Sequence, residues 1–283
     1  MAMTRKTKSK IEVAFIYLFF VLMFIVIGYP LMWAVMMSIN PGTNMLVTDL
    51  FPDKPTLEHY IWLFTSPASD YLIWYKNSLI IAVLNSIGSV VLTSLIAYAF
   101  SRYKFVGRKY GLYLFLLLQM FPALMGGMVA LYILLTTIGL VDSIWGLLLI
   151  YLGGQIPFNA WLVKGYYDTI PRELDEAAKI DGAGHLRIFW TIMLPLAKPI
   201  LAVVALFNFM APFMDFLLPQ IVLTDPNNYT LALGLYNFIN DQFSTNFTRF
   251  AAGSILIAIP IALVFLLLQR YLIGGLTAGA TKG

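Results

Sequence analysis

Long uncharged runs separated by short charged segments set the plan of this chain. The first lies between Glu12 and Asp49, and the second fills the 25 residues between Lys76 and Arg102. A third, from Tyr110 to Val141, is interrupted by Pro122 and Gly126-Gly127; a fourth takes the 21 residues between Asp142 and Lys164. The fifth begins at Pro199 and contains Pro212, Asp215 and Pro219, and the sixth is the 20 residues ahead of Arg270. A helix needs about 20 apolar residues to cross a bilayer. The pattern therefore predicts an all-α membrane protein with six transmembrane helices, over about 13–38, 77–101, 110–137, 143–163, 199–223 and 250–270. They form one transmembrane domain over 1–283. The first run is too long for the ~7–15-residue apolar stretch of a signal peptide, so it reads as a retained span.

One stretch departs from this plan. Residues 164–198 hold five basic and five acidic residues, the longest charged segment in the chain. Pro171 suits a first helical turn, with Asp168 or Thr169 as cap and Glu173, Asp175 and Glu176 clustered where a helix N-terminus favours acids. Leu174, Ala177, Ala178 and Asp181 follow at helical spacing, so one side of this short helix has almost no bulk. Gly182 and Gly184 bracket the point where it must stop and turn. A second helix, about 185–194, carries Ile188, Phe189 and Ile192 on one face before Pro195 ends it. Such a helical hairpin between two spans is a docking element.

Composition agrees with a membrane setting. The chain is 60% hydrophobic and 11% charged, where a soluble domain carries about a quarter charged residues. Fifteen of its eighteen Lys and Arg fall in the N-terminal tail, the 101–109 turn, the 164–198 loop and the C-terminal end. Only Lys54, Lys76 and Arg249 lie in the alternate loops. By the positive-inside rule both termini and the docking loop are cytoplasmic. The positives are thus a membrane signal and not a nucleic-acid one. Cysteine is absent, and His59 and His185 fall on opposite predicted sides, so no metal site is expected. No G-x-x-x-x-G-K-[ST] occurs, nor any catalytic constellation. The chain is not expected to be an enzyme or to bind ATP by that route.

Glu176-Ala177-Ala178, Asp181-Gly182-Ala183, Phe189, Ile192, Leu194-Pro195 and Pro199 resemble the cytoplasmic EAA loop of bacterial ABC-importer permease subunits. Lys164 to Pro171 leads into this loop much as in the sugar-importing members. Asp181-Gly182-Ala183-Gly184-His185 is similar to maltodextrin permeases, and the Gly274–Gly283 ending resembles that of the second, shorter maltose permease subunit. The resemblance implies a type I ABC-importer permease fold in the cytoplasmic membrane. It implies a non-catalytic subunit that helps import an oligosaccharide, maltodextrin first and galacto-oligosaccharide as the alternative. The implied partners are a second related permease, two copies of a cytoplasmic ATPase that bind ATP and magnesium, an extracytoplasmic sugar-binding protein and membrane lipid. The residues implied to dock on the ATPase are Glu176, Ala177, Ala178, Asp181, Gly182, Ala183, Gly184, Phe189, Leu194 and Pro195. A tail containing Thr277, Gly279 and Lys282 is expected to enter the ATPase dimer interface and to order only there.

Asp215 is the one ionisable residue inside a predicted span, and such residues face a bundle interior or an aqueous cavity. With Asn208, Phe209 and Phe213 it marks the fifth span as the expected pathway lining. The competing reading is a helix–helix hydrogen bond. An ion-coupled secondary transporter using Asp215 is the alternative from another class; inverted repeats would favour it, and no internal repeat is visible.

Overall fold

A computed structural model describes residues 5–43, 51–120, 127–240 and 246–280. Those residues are helical apart from turns and linkers. In chain order the helices are α1 (Arg5–Ser38), α2 (Glu58–Thr65), α3 (Tyr71–Arg102), α4 (Gly111–Met120), α5 (Met128–Thr137) and α6 (Ile144–Asp168). There follow α7 (Glu173–Ile180), α8 (His185–Ile188), a π turn (Phe189–Met193), α9 (Leu194–Leu196) and α10 (Lys198–Met214). The last are α11 (Leu217–Val222), α12 (Leu231–Asn240) and α13 (Phe247–Ala280).

Among the described residues four helices are long and apolar enough to cross a membrane: α1 from Val13, α3, α6 and α13 to Leu272. The segment 185–196 and α10 qualify together, bent by 78° at Ala197. In the third span expected over 110–137, with interruptions at Pro122 and Gly126-Gly127, the described residues form two ten-residue helices, α4 and α5; 121–126 lie outside the described residues. The fifth is shorter than expected: α10 stops at Met214, Asp215 is extended, and α11 is a separate short helix.

The chain divides into two compact units. The first joins Met1–Ser69 to Leu235–Leu256. Most apolar side chains of α1 between Val13 and Val35 are exposed, as a helix sheathed in lipid requires, because hydrocarbon rather than protein satisfies them. Where α1 ends, polar contacts take over. Tyr60 Oη donates to Ser38 Oγ at 2.8 Å, and His59 Nε2 is 2.8 Å from the Asn40 carbonyl. Thr248 Oγ1 donates to the Gly42 carbonyl, and the Arg249 guanidinium lies 3.7 Å over the Trp62 ring. His59 is therefore a buried structural histidine.

The second unit, Asp70–Gly234 with Ile257–Gly283, is a bundle in which α3 packs on both α6 and α10. A Cβ added to Gly88 of α3 would meet Leu152 of α6 at 2.8 Å; glycine is what admits this approach. Toward the ends of α3 and α6 that meet the 169–197 hairpin, Tyr98, Tyr167, Ile188, Phe189 and Met193 form one buried cluster. Ile81, Leu147, Tyr151 and Val222 form another at the opposite end. There Asp142, in a left-handed conformation with φ of 56°, accepts the backbone N–H groups of Thr224 and Asp225. Desolvation would raise its pKa, but these hydrogen bonds outweigh it and hold the carboxyl below the ordinary carboxylate value.

Candidate functional site

The charged hairpin is built as two short helices joined by a glycine turn. The first begins two residues later than the proline suggests: α7 starts at Glu173, after an N-cap position held by Arg172. Thr169 instead closes α6, donating to the Tyr166 carbonyl. Three acids, Glu173, Asp175 and Glu176, occupy the first turn of α7 and Lys179 the last, the sense the helix dipole favours. Gly182, at φ of 80°, ends the helix. Its N–H bonds the Lys179 carbonyl, and the Ala183 N–H reaches back to Ala178 at 2.9 Å. This pair of bonds is a Schellman cap, which requires the left-handed residue that glycine supplies. The second helix runs on from His185 through the π turn to Leu196, two residues past the expected stop.

Burial sorts the hairpin into two faces. Asp175, Ile188, Phe189 and Met193 are buried, and Ala178, Ala183 and Leu194 are half-buried. Phe189 is 1% exposed and belongs to the bundle core, so it anchors the hairpin and offers no surface for docking. Glu176, Ala177, Asp181, Gly182, Gly184 and Pro195 are exposed. So are two apolar side chains that the sequence reading did not single out, Ile180 at 87% and Leu186 at 72%. Both flank the Gly182 turn.

The inward face also holds an ion pair absent from the sequence reading. The Arg102 guanidinium, at the last position of α3, meets the Asp175 carboxylate of α7. Arg102 also donates to the Ile170 carbonyl at 2.9 Å. Next to it, Ser101 Oγ donates to Asp168 Oδ1 at 2.7 Å, and Lys164 Nζ donates to Asp168 Oδ2 at 2.5 Å. The α3 terminus therefore grips both the end of α6 and the start of the hairpin. A basic residue at the end of a span and an acid in the first turn of the hairpin are the ingredients, but nothing in a linear sequence selects Arg102 among its basic neighbours.

The expected pathway residues divide differently. Asn208, 3% exposed, accepts from Ser89 Oγ at 3.0 Å and from Asn159 Nδ2 at 3.2 Å. Its Nδ2 donates to Val204 O, and its own carbonyl accepts from Asn85 Nδ2. Asn208 is thus a hub of hydrogen bonds joining α3, α6 and α10. Phe209 and Phe213 are buried too. Asp215, half-buried, accepts from Tyr151 Oη at 2.9 Å and from the Leu218 N–H at 3.3 Å. It joins the end of α10 to α6 and leads into α11. Of the tail, Thr277 and Gly279 lie on the helical backbone of α13, which continues to Ala280. Lys282 lies outside the described residues.

The family model for the binding-protein-dependent transport system inner membrane component matches residues 89–277. The chain is 47% identical over 279 residues to the galactooligosaccharides transport system permease protein GanQ of Bacillus subtilis, covering 98% of each. It is 48% identical over 267 residues to the maltodextrin transport system permease protein MdxG of the same organism, covering 94% of this chain and 95% of that one. Against the maltose/maltodextrin transport system permease protein MalG of Escherichia coli K12, identity is 36% with all of both chains covered. Among solved structures, a chain of a bacterial ABC transporter involved in import of the acidic polysaccharide alginate matches with TM-score 0.79 and 22% identity. That likeness covers 96% of this chain and 99% of the other.

Proposed function

The chain belongs to the family of binding-protein-dependent transport system inner membrane components, and we propose that it is a non-catalytic permease subunit of an ATP-driven oligosaccharide importer. The observation that carries this reading is the two-faced hairpin: Arg102 and the Tyr98–Phe189 cluster hold one face to the bundle, while Ile180, Leu186 and Glu176 project from the other. A rigid hairpin gripped at its base can pass a displacement into α3 and α6; a loose loop could not. Its outer face would seat in a cytoplasmic ATPase, two copies of which bind ATP and magnesium and do the hydrolysis. A second, related permease completes the pore, and an extracytoplasmic binding protein delivers the sugar.

In this reading the chain crosses the cytoplasmic membrane six times, with α4 and α5 completing the third crossing and both termini inside. The positive residues of the 101–109 turn and the 164–198 loop support that orientation. By the same positive-inside rule the C-terminal end of the chain, with Thr277, Gly279 and Lys282, is cytoplasmic and would lie against the ATPase pair. The family match displaces the ion-coupled alternative. Maltodextrin is the first substrate, from the likeness to MdxG; galacto-oligosaccharide is the second reading, which the similarly strong likeness to GanQ favours. Proteoliposomes holding the whole complex and its binding protein test this with labelled maltotriose and galactotriose. Uptake of maltotriose that requires ATP, the ATPase and the binding protein is the expected result. Uptake by this chain without the ATPase would overturn the importer reading, and uptake of galactotriose alone would exchange the substrate.

A further inference from the structure

Beside the hairpin, but not part of its docking face, lies a cavity of about 1180 Å³ between the start of α4, the end of α6 and the start of α10. It is somewhat larger than the ~300–1,000 Å³ typical of small-molecule sites. Arg108, Lys109 and Lys164 stand in its wall with a single carboxylate, Asp168. That carboxylate is already engaged by Lys164 and Ser101. Arg108 is fixed in place by donating to the Phe100 and Ser101 carbonyls through Nε and Nη2, which commits two of its five N–H groups. Lys109 rests 5.1 Å from the centre of the Tyr110 ring. Among the described residues no carboxylate lies within ion-pair distance of Arg108 or Lys109. The cavity therefore carries two uncompensated positive charges.

Its other wall is aromatic and aliphatic, with Tyr113, Trp161 and Leu162. Trp161 also lines an adjoining groove of about 340 Å³ with Leu116 and Phe158. Leu162 and Phe158 also line a third space of about 490 Å³, where Val203 and Phe207 stand beside the amides Gln119, Gln155, Asn159 and Asn208. Three spaces that share lining residues thus follow α4 and α6 from the basic cavity; charged side chains are confined to the first, and the furrow beside it at Leu116, Phe158 and Trp161 is mostly apolar. That is the profile of a phospholipid, with an anionic phosphate at the helix ends and an acyl chain along the bundle.

We propose that this cavity and furrow bind one acidic phospholipid of the cytoplasmic leaflet, with the phosphate on Arg108 and Lys109 and a chain against Trp161 and Phe158. Basic pockets between spans on the cytoplasmic side suit such headgroups. The proposal goes beyond the transport reading and shares with it only the inside orientation of the 101–109 turn. A lipid there would brace the α3–α4 turn against the end of α6, next to the grip of Arg102 on the hairpin.

The test is native mass spectrometry of the intact complex released from bilayers of phosphatidylcholine containing phosphatidylglycerol. Retention of one phosphatidylglycerol in preference to phosphatidylcholine is expected. Lys109→Gln should weaken that retention about fivefold, the factor for one juxtamembrane positive charge. Trp161→Ala should weaken retention without removing charge. Thermal unfolding of each variant verifies that the fold is kept. Equal retention of the two lipids, or full retention by Lys109→Gln, would overturn the proposal. Displacement of the lipid by inorganic phosphate at matched concentration would reassign the cavity to a free anion. A cross-link from Trp161→p-benzoylphenylalanine to the second permease would assign the furrow to that subunit. ATP-dependent uptake in bilayers of phosphatidylcholine alone reads the transport function separately.

Discussion

Arg102 and Asp175 face each other across the junction of α3 and α7 with only 6% and 8% of their side chains exposed. A span terminus and a docking helix are thereby held by a charge pair shut away from water. Removing one partner of a buried pair typically costs about 3–5 kcal/mol, because the other charge is left uncompensated. Asp175→Asn is therefore expected to lower the unfolding temperature of the complex and loosen the hairpin, so that ATPase co-purification falls. The double variant Arg102→Met/Asp175→Leu removes both charges and should regain stability. If it regains stability but not ATP-driven uptake, the pair sets the hairpin's angle; unchanged stability in Asp175→Asn would show that the pair holds nothing.

Glu176 adjoins Asp175 and plays the opposite part, since it is exposed. Charge reversal on an exposed side chain shifts stability by no more than about 0.5 kcal/mol. Glu176→Lys should thus insert and unfold like the parent. Its ATPase co-purification and uptake should fall, and Ile180→Asp should do the same by placing a charge on the most exposed apolar group of the tip. Normal assembly in both variants would remove this face from the docking surface.

How far the sequence reveals this arrangement depends on how local each cause is. The spans α1, α3 and α6 follow from uncharged runs, and the Gly182 turn follows from the residue that adopts its φ at least cost. Those causes lie within a few residues. Which of two adjacent acids turns inward is decided by Arg102, more than seventy positions earlier, and no helical pattern encodes that. Asn208 was expected to line the pathway. A polar residue at membrane depth needs either water or a partner, and Ser89 and Asn159 supply the partners from other helices. The break between α10 and α11 was foreshadowed by Pro212 and Pro219, yet its position at Asp215 depends on Tyr151 of α6.

Gly182 allows a clean measurement, because a Cβ placed there meets nothing within 4 Å. Any penalty on substitution is then backbone strain at φ of 80°, about 1–2 kcal/mol for a side chain held left-handed. Gly182→Val should lose more uptake than protein level, as the angle between α7 and α8 relaxes. Gly182→Asn, which visits this region more easily, should keep most of the uptake. Equal loss in both variants would point to contact with the ATPase and not to strain.

Asp215 is expected to be dispensable as a charge. Its Oδ2 accepts from Tyr151 Oη and its Oδ1 from the Leu218 N–H, so both oxygens act as acceptors at a helix junction. An asparagine keeps one oxygen in that position and gives up the other, so part of the junction survives without any charge. The loss is then at most one hydrogen bond, about 0.5–1.5 kcal/mol. Asp215→Asn should show a small fall in unfolding temperature, ATP-driven uptake near the parental rate and no new dependence on membrane potential. Tyr151→Phe removes the hydrogen bond to Oδ2 and should cost a similar amount. A coupling carboxylate would behave otherwise, because Asp215→Asn would abolish uptake while Tyr151→Phe spared it. That divergence between the two variants, with uptake collapsing under an ionophore at constant ATP, would return Asp215 to the transport cycle.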